Sequence, residues 1–284
     1  MKYFKDRSTA RPGDRRIRLT SLVSWAALLA WLPALFVCPA DASAFPTTGS
    51  PAASTSASSP AHSASAGFSA ACAGPSILPL ESADKLLVIA HYRLQEAPQD
   101  AEALLVRGLA YEALGRQGRA TADLMAAARL RPDLTRAHLA LARAYASHGL
   151  LARAVRSYTA VIRLNPASAE AYRERAVIYD ALGAYERALA DYRQAIALEP
   201  SDACTYNDQG ITQENAGFQT EALASYSNAI ELAPTLLPAV TNRAFLLSDL
   251  GRYAEAAAGF EAAAALAPAD AEIANALQTA RSLA

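Results

Sequence analysis

The chain has 284 residues, of which 52% are apolar but only 7% aromatic, and its 26 basic and 27 acidic side chains give a net charge of −1. An alanine-heavy apolar fraction suits close-packed helices and leaves no sign of a β-domain. Residues 1–44 hold seven basic and three acidic residues, so the rest carries 19 against 24, a net −5; with no basic surplus to neutralise phosphates, nucleic acid is not an expected partner.

In chain order, residues 1–18 are basic (Lys2, Lys5, Arg7, Arg11, Arg15, Arg16 and Arg18 against Asp6 and Asp14), Leu19–Cys38 is uncharged, and Ala42-Ser43-Ala44 is a small-x-small site. This order predicts a secretory signal over 1–44, cleaved after Ala44. The same apolar run is long enough to span a bilayer uncleaved, as an anchor. Lipidation at Cys38 is a third reading, against which bulky Val37 stands where a small residue is wanted. In every case the basic end stays cytoplasmic and the remainder crosses. The expected location is therefore periplasmic, or inner-membrane-anchored with the rest outside the cytoplasm. Residues 45–80 are mostly Ser, Ala, Pro, Thr and Gly without charge, a composition that cannot offset chain entropy and predicts a disordered spacer. Leu86, Leu87, Ile89, Ala90 and Leu94 have helical spacing and predict one capping helix over 82–97, within a segment 81–100.

From there a ruler of proline runs through the chain: Pro98, Pro132, Pro166, Pro200, Pro234 and Pro268, always 34 residues apart. A fixed period of this size means stacked repeats. With Pro132 as position 32 of a unit starting at Ala101, position 15 is Gly115, Gly149, Gly183, Gly217 and Gly251. Position 20 is Ala120, Ala154, Ala188, Ala222 and Ala256. Position 8 is always Gly or Ala, and position 24 is Leu124, Tyr158, Tyr192, Tyr226 and Phe260. Each unit is then two helices, over positions 1–14 and about 18–31. The glycine serves as a left-handed C-cap, the small residues let the two helices approach, and the large ones fill the space toward the next unit. Asp100, Ser168, Asp202 and Asp270 stand at helix starts as caps, with Asp133 and Thr235 one residue earlier. Residues 271–284 read as a final amphipathic helix with Ile273, Leu277 and Ala280 turned inward.

These columns resemble the tetratricopeptide repeat (TPR) family over residues 101–268, departing from it at Gln213 and Leu247 of position 11 and in having no Trp at position 4. The resemblance implies an all-α, right-handed superhelical solenoid of five units (101–134, 135–168, 169–202, 203–236 and 237–270) with a capping helix at each end. It further implies that the concave face, lined by first-helix positions 2, 5, 6, 9, 12 and 13, binds a protein or peptide. Arg136, Arg143 and Arg173 then offer charge to a peptide carboxylate, Asn207 and Asn242 offer amides to its backbone, and Leu105, Leu109, Leu139, Val177, Ile211 and Phe245 form an apolar floor. The opposing reading pairs the arginines with Glu170, Glu174 and Asp180 in ordinary surface contacts.

The expected function is a non-catalytic interaction scaffold of the cell envelope. The alternatives are a self-associating structural protein and, more distantly, an enzyme or small-ligand receptor. No catalytic motif supports the last, and no cofactor is implied. His62, His91, His138 and His148 form no metal-ligand spacing with each other or with cysteine. The chain's cysteines are Cys38, Cys72 and Cys204; free thiols are the simple expectation, a Cys72–Cys204 disulfide the alternative in an oxidising compartment.

Overall fold

The structure, a computed structural model, describes residues 80–284; the expected signal or anchor of 1–44 and nearly all of the 45–80 spacer lie outside the described residues. Among the described residues there are twelve helices and no strand. Helix α1 (Leu80–Glu96) precedes five pairs: α2 (Ala101–Ala113) with α3 (Gln117–Leu130), α4 (Thr135–Ser147) with α5 (Leu151–Leu164), α6 (Ala169–Ala181) with α7 (Tyr185–Leu198), α8 (Ala203–Asn215) with α9 (Gln219–Leu232), and α10 (Leu237–Asp249) with α11 (Tyr253–Leu266). Helix α12 (Ala271–Leu283) ends the chain. No described helix is long and apolar enough to cross a membrane.

The turn inside each pair is built by its glycine. Gly115, Gly149, Gly183, Gly217 and Gly251 all have φ between 68° and 83°, a region costly for any residue with a Cβ. Around Gly183, the Gly183 N–H donates to Asp180 O (2.8 Å) and the Ala184 N–H to Tyr179 O (2.8 Å). These are the paired bonds of a Schellman cap, and the other four turns repeat them. The first helices therefore end one residue sooner than the 1–14 expectation, and the second helices begin directly from the turn, at position 17.

Side-chain caps follow the sequence reading at four helix starts. Asp100 accepts from the Glu102 N–H (3.0 Å), Ser168 from Ala171 (3.3 Å), Asp202 from Cys204 (3.0 Å) and Asp270 from Glu272 (2.9 Å). Asp133 and Thr235 do not cap: the N-caps of α4 and α10 are Leu134 and Leu236, with no side-chain bond. An acceptor one residue outside the cap turns away from the first helical N–H groups, and Asp133 lies 3.6 Å from Arg131 instead.

The core repeats with the period. Position 24 is 0–2% exposed in every unit. It presses on the small residue at position 8 of its own unit, where a Cβ on Gly210 would sit 2.6 Å from Tyr226. It also reaches the next unit, Tyr158 clustering with Ile178 and Tyr226 with Leu246. Each buried ring contributes roughly 1.5–3 kcal/mol, and each ties a unit to its neighbour, so stability spreads along the stack by nearest-neighbour contact. The ends are closed differently. On α1, Leu94 joins the first-unit core and His91 meets Tyr111 edge-to-face. On α12, Ile273 packs with Val240 and Ala263, and Ala280 with Phe260.

Even-numbered helices line one side of the stack: α2 touches α4, α6 touches α8 and α8 touches α10, whereas the odd helices pack extensively only on even ones. The even helices are the inner layer and the odd helices the outer layer of an all-α repeat solenoid.

Candidate functional site on the inner face

The polar residues of the inner layer are joined across units at a spacing of one repeat plus one residue. Arg173 of α6 reaches Asp208 of α8 (3.5 Å), and Asn242 of α10 donates to the Asn207 side-chain oxygen on α8 (3.1 Å). Asn215 of α8 donates to both oxygens of Asp180 on α6 (3.3 Å each). Each of these three links joins residues 35 apart. One helix earlier, Arg143 of α4 donates to Glu174 of α6 (Nη2 to Oε1 2.7 Å) and also engages Glu170. Arg173 lies a further 3.8 Å from Asp202. The result is a ladder of hydrogen bonds and ion pairs from the second unit to the fifth.

This ladder revises the role expected of four residues. Arg143 and Arg173 are engaged by carboxylates of the following inner helix or its N-cap instead of awaiting a peptide carboxylate: Arg143 by Glu170 and Glu174, as in the opposing reading, and Arg173 by Asp202 and Asp208. Asn207 is wholly enclosed, its oxygen held by Asn242 and its amide donating to Asp208 (3.3 Å), so it has no surface for a peptide backbone. Leu105 is likewise 0% exposed and packs in the first-unit core. Arg136, at the start of α4, is half-buried and makes no ion pair among the described residues. Leu109, Leu139, Val177, Ile211 and Phe245 are half-buried on the same face, giving one apolar residue from each unit.

The electrostatics of the face follow from burial. Glu102, Glu112, Glu170, Glu174, Asp180, Asp208, Glu214 and Asp249 stand at inner positions against Arg136, Arg143 and Arg173, an excess of acid. Burial pushes the Asp208 carboxyl up to about 6, with Arg173 opposing it, and raises Glu112 above the usual carboxylate range against Arg143. The phenols of Tyr158, Tyr192 and Tyr226 are driven far up by burial. They stay neutral, and Tyr226 donates to Glu214 (2.8 Å). A desolvated carboxylate lacking a cation is costly, which is why each guanidinium of the ladder is already engaged.

Cys204, on the inner layer at the start of α8, is disulfide-bonded, so the free-thiol expectation does not hold for it; Cys38 and Cys72 lie outside the described residues. His138 is half-buried with Nε2 3.1 Å from the Pro132 carbonyl. His91 Nδ1 sits 2.8 Å from Leu87 O. No group of His, Cys, Asp and Glu able to hold a metal occurs among the described residues.

The outer layer holds a second polar system that the sequence reading missed. Position 7 of the first helix and position 23 of the second form a bidentate pair in units one and three. Arg107 meets Asp123 (2.6 and 2.8 Å), and Arg175 meets Asp191 (2.7 and 2.8 Å). Arg175 also donates to Thr159 (2.9 Å) and lies over Tyr172 and Tyr179, about 5.8 and 5.7 Å from the ring centres. The signal was present as Arg and Asp 16 residues apart, recurring at 68.

Two tetratricopeptide repeat models match the chain, over residues 101–134 and 139–203. No curated protein matches it. Among solved structures, it resembles YrrB, a TPR protein with an unusual peptide-binding site, at 18% identity over 68% of this chain and 97% of YrrB (TM-score 0.55). It resembles TTC0263, a thermophilic TPR protein of Thermus thermophilus, at 25% identity over 64% and 98% (TM-score 0.51). A third likeness is to MamA from residue 41 to its end, from Desulfovibrio magneticus RS-1, at 19% identity over 60% and 97% (TM-score 0.56).

Proposed function

The chain belongs to the tetratricopeptide repeat family, and from that premise we propose that it is a non-catalytic scaffold holding an extended segment of a partner protein along its inner face. The observation that carries this reading is the apolar row Leu109, Leu139, Val177, Ile211 and Phe245, one residue per unit, held half-exposed beside a polar ladder that is already satisfied. Such a face is pre-organised, so a bound segment orders little of the scaffold itself. Specificity comes from the rim. Arg136 is the cation placed to meet a carboxylate, and the acid excess elsewhere favours neutral or basic side chains on the ligand. Arg143, Arg173, Asn207 and Asn242 serve by holding adjacent units in register, and the YrrB likeness supports peptide recognition only as an analogy of fold.

We place the repeats outside the cytoplasm, tethered or released in the cell envelope; the support is the basic segment, the apolar run and the Ala42–Ala44 site that precede them. The test is affinity capture from envelope extracts with the wild type and with Val177→Glu/Ile211→Glu, both checked for equal helicity. A partner held by the wild type and lost by the variant is expected; a partner held equally by both overturns the inner-face assignment. Amino-terminal sequencing of the exported protein tests the location, Phe45 as first residue being the expected result for cleavage.

A further inference from the structure

The outer layer is not uniform. In units one and three the groove between consecutive second helices is filled by the Arg107–Asp123 and Arg175–Asp191 pairs. Unit two has Leu141 and Ser157 at those positions, and there the groove is open, a cleft of about 750 Å3 between α3 and α5 over α4. Its floor is apolar, from Met125, Leu141 and Tyr145, and its rim carries Arg129, Arg153 and Arg156 with no carboxylate among the lining residues. Arg153 lies over the Tyr145 ring at 5.7 Å, and Arg156 donates, among the described residues, to the Ala152 carbonyl of its own helix (3.3 Å). Met125 is 47% exposed.

The surrounding charge is concentrated in the same place. Position 19, on the exposed side of the second helix, reads Arg119, Arg153, Arg187, Glu221, Glu255. Arg129, Arg163 and Arg193 add to the basic half, Glu231 and Glu261 to the acidic half. In a chain whose part after residue 44 is net negative, the second helices of the first two units thus carry a basic surplus, whereas on that of the third Glu186 and Asp191 balance Arg187 and Arg193, and the unfilled cleft lies between the two basic helices.

We propose that this outer cleft is a second docking site, separate from the inner face, for an acidic segment of a partner protein that carries one large apolar side chain. The apolar side chain seats on Met125, Leu141 and Tyr145, and flanking Asp or Glu side chains pair with Arg129, Arg153 and Arg156. Arginine suits this work because its planar fork meets carboxylates in two bonds, and an apolar anchor in a pocket ringed by charge is how small interfaces gain specificity.

The test uses a displayed library of peptides, each about four to five helical turns' worth of residues, selected on the full chain and followed by fluorescence anisotropy of the enriched peptides. Enrichment of Phe, Trp, Leu or Met flanked by Asp and Glu is expected. Affinity is expected to fall at least tenfold in Arg153→Glu/Arg156→Glu and in Leu141→Arg/Ser157→Asp, which rebuilds the filling pair of the neighbouring units. It is expected to be unchanged in the inner-face variant Val177→Glu/Ile211→Glu, so failure here is separable from failure of the inner-face reading. Enriched peptides without acidic residues, or bound equally by the filled variant, overturn the proposal. So does concentration-dependent dimerisation by ultracentrifugation that the filled variant abolishes, since the cleft's occupant is then a second copy.

Discussion

Transplanting the second unit's solution into the third isolates the worth of one buried ion pair. Arg175 and Asp191 are 14% and 9% exposed at their side chains, joined by two bonds of 2.7 and 2.8 Å. Arg175→Leu alone leaves the Asp191 carboxylate enclosed without its cation, a change worth about 3–5 kcal/mol. Adding Asp191→Ser removes the stranded charge and recreates the Leu141/Ser157 arrangement, which the fold already accommodates one unit earlier. What the double variant still lacks is the bond to Thr159 and the two ring contacts of Arg175. These are together worth about 1–2 kcal/mol. The double variant is therefore expected to be about 2–3 kcal/mol more stable than the single variant. The assay is urea unfolding at pH 7 followed by circular dichroism, with the slope held common across variants. Because unit three sits in the middle of a nearest-neighbour stack, the single variant should lower the midpoint by roughly 1–2 M and the double variant should recover over half of that. Equal destabilisation by single and double variants, within about 0.5 kcal/mol, would refute the argument that the stranded carboxylate is the source of the cost.

Three other outcomes follow from the geometry. Gly183→Ala forces a Cβ into φ +69° and should cost about 1–2 kcal/mol in thermal or urea unfolding, whereas Gly118→Ala, in the first turn of α3 with open space around it, should gain about 0.5–1 kcal/mol. Asp208 has its folded value raised from 3.8 to about 6, so between pH 4 and 6 the native state holds a proton that the unfolded chain has released. Stability then falls as pH rises through that window, by about 3 kcal/mol. Asp208→Asn should flatten this slope relative to wild type, and parallel pH profiles for the two proteins would count against it. Tyr226→Phe removes the 2.8 Å bond to Glu214 and should cost about 1.5–3 kcal/mol, read as a lowered urea midpoint with unchanged helical content.

The sequence by itself determined the unit, its length and its order. Glycine at position 15, alanine at 20 and a large residue at 24 are demands of backbone conformation and close helix contact, and such demands fall on fixed positions, so the period exposes them. The final helix and its inward Ile273 and Ala280 were legible for the same reason. Asp133 was misread because a cap depends on which residue leaves helical geometry first, and one residue of shift removes the bond.

What only the tertiary structure decided is which side chains meet between units. Columns compared at 34 residues place Arg173 beside Asn207, yet the inner layer is offset by one residue, so Arg173 meets Asp208 and Asn207 meets Asn242. That offset converts a row of apparently available groups into a closed ladder. It also leaves half-buried apolar residues as the inner surface. The outer cleft was equally hidden. Leu141 and Ser157 are ordinary residues in a sequence, and only the packed structure shows that they line a cleft where the units on either side place an Arg–Asp pair. Local demands repeat with the chain, whereas contacts between units depend on the rotation of one helix against the next, which no column of residues records.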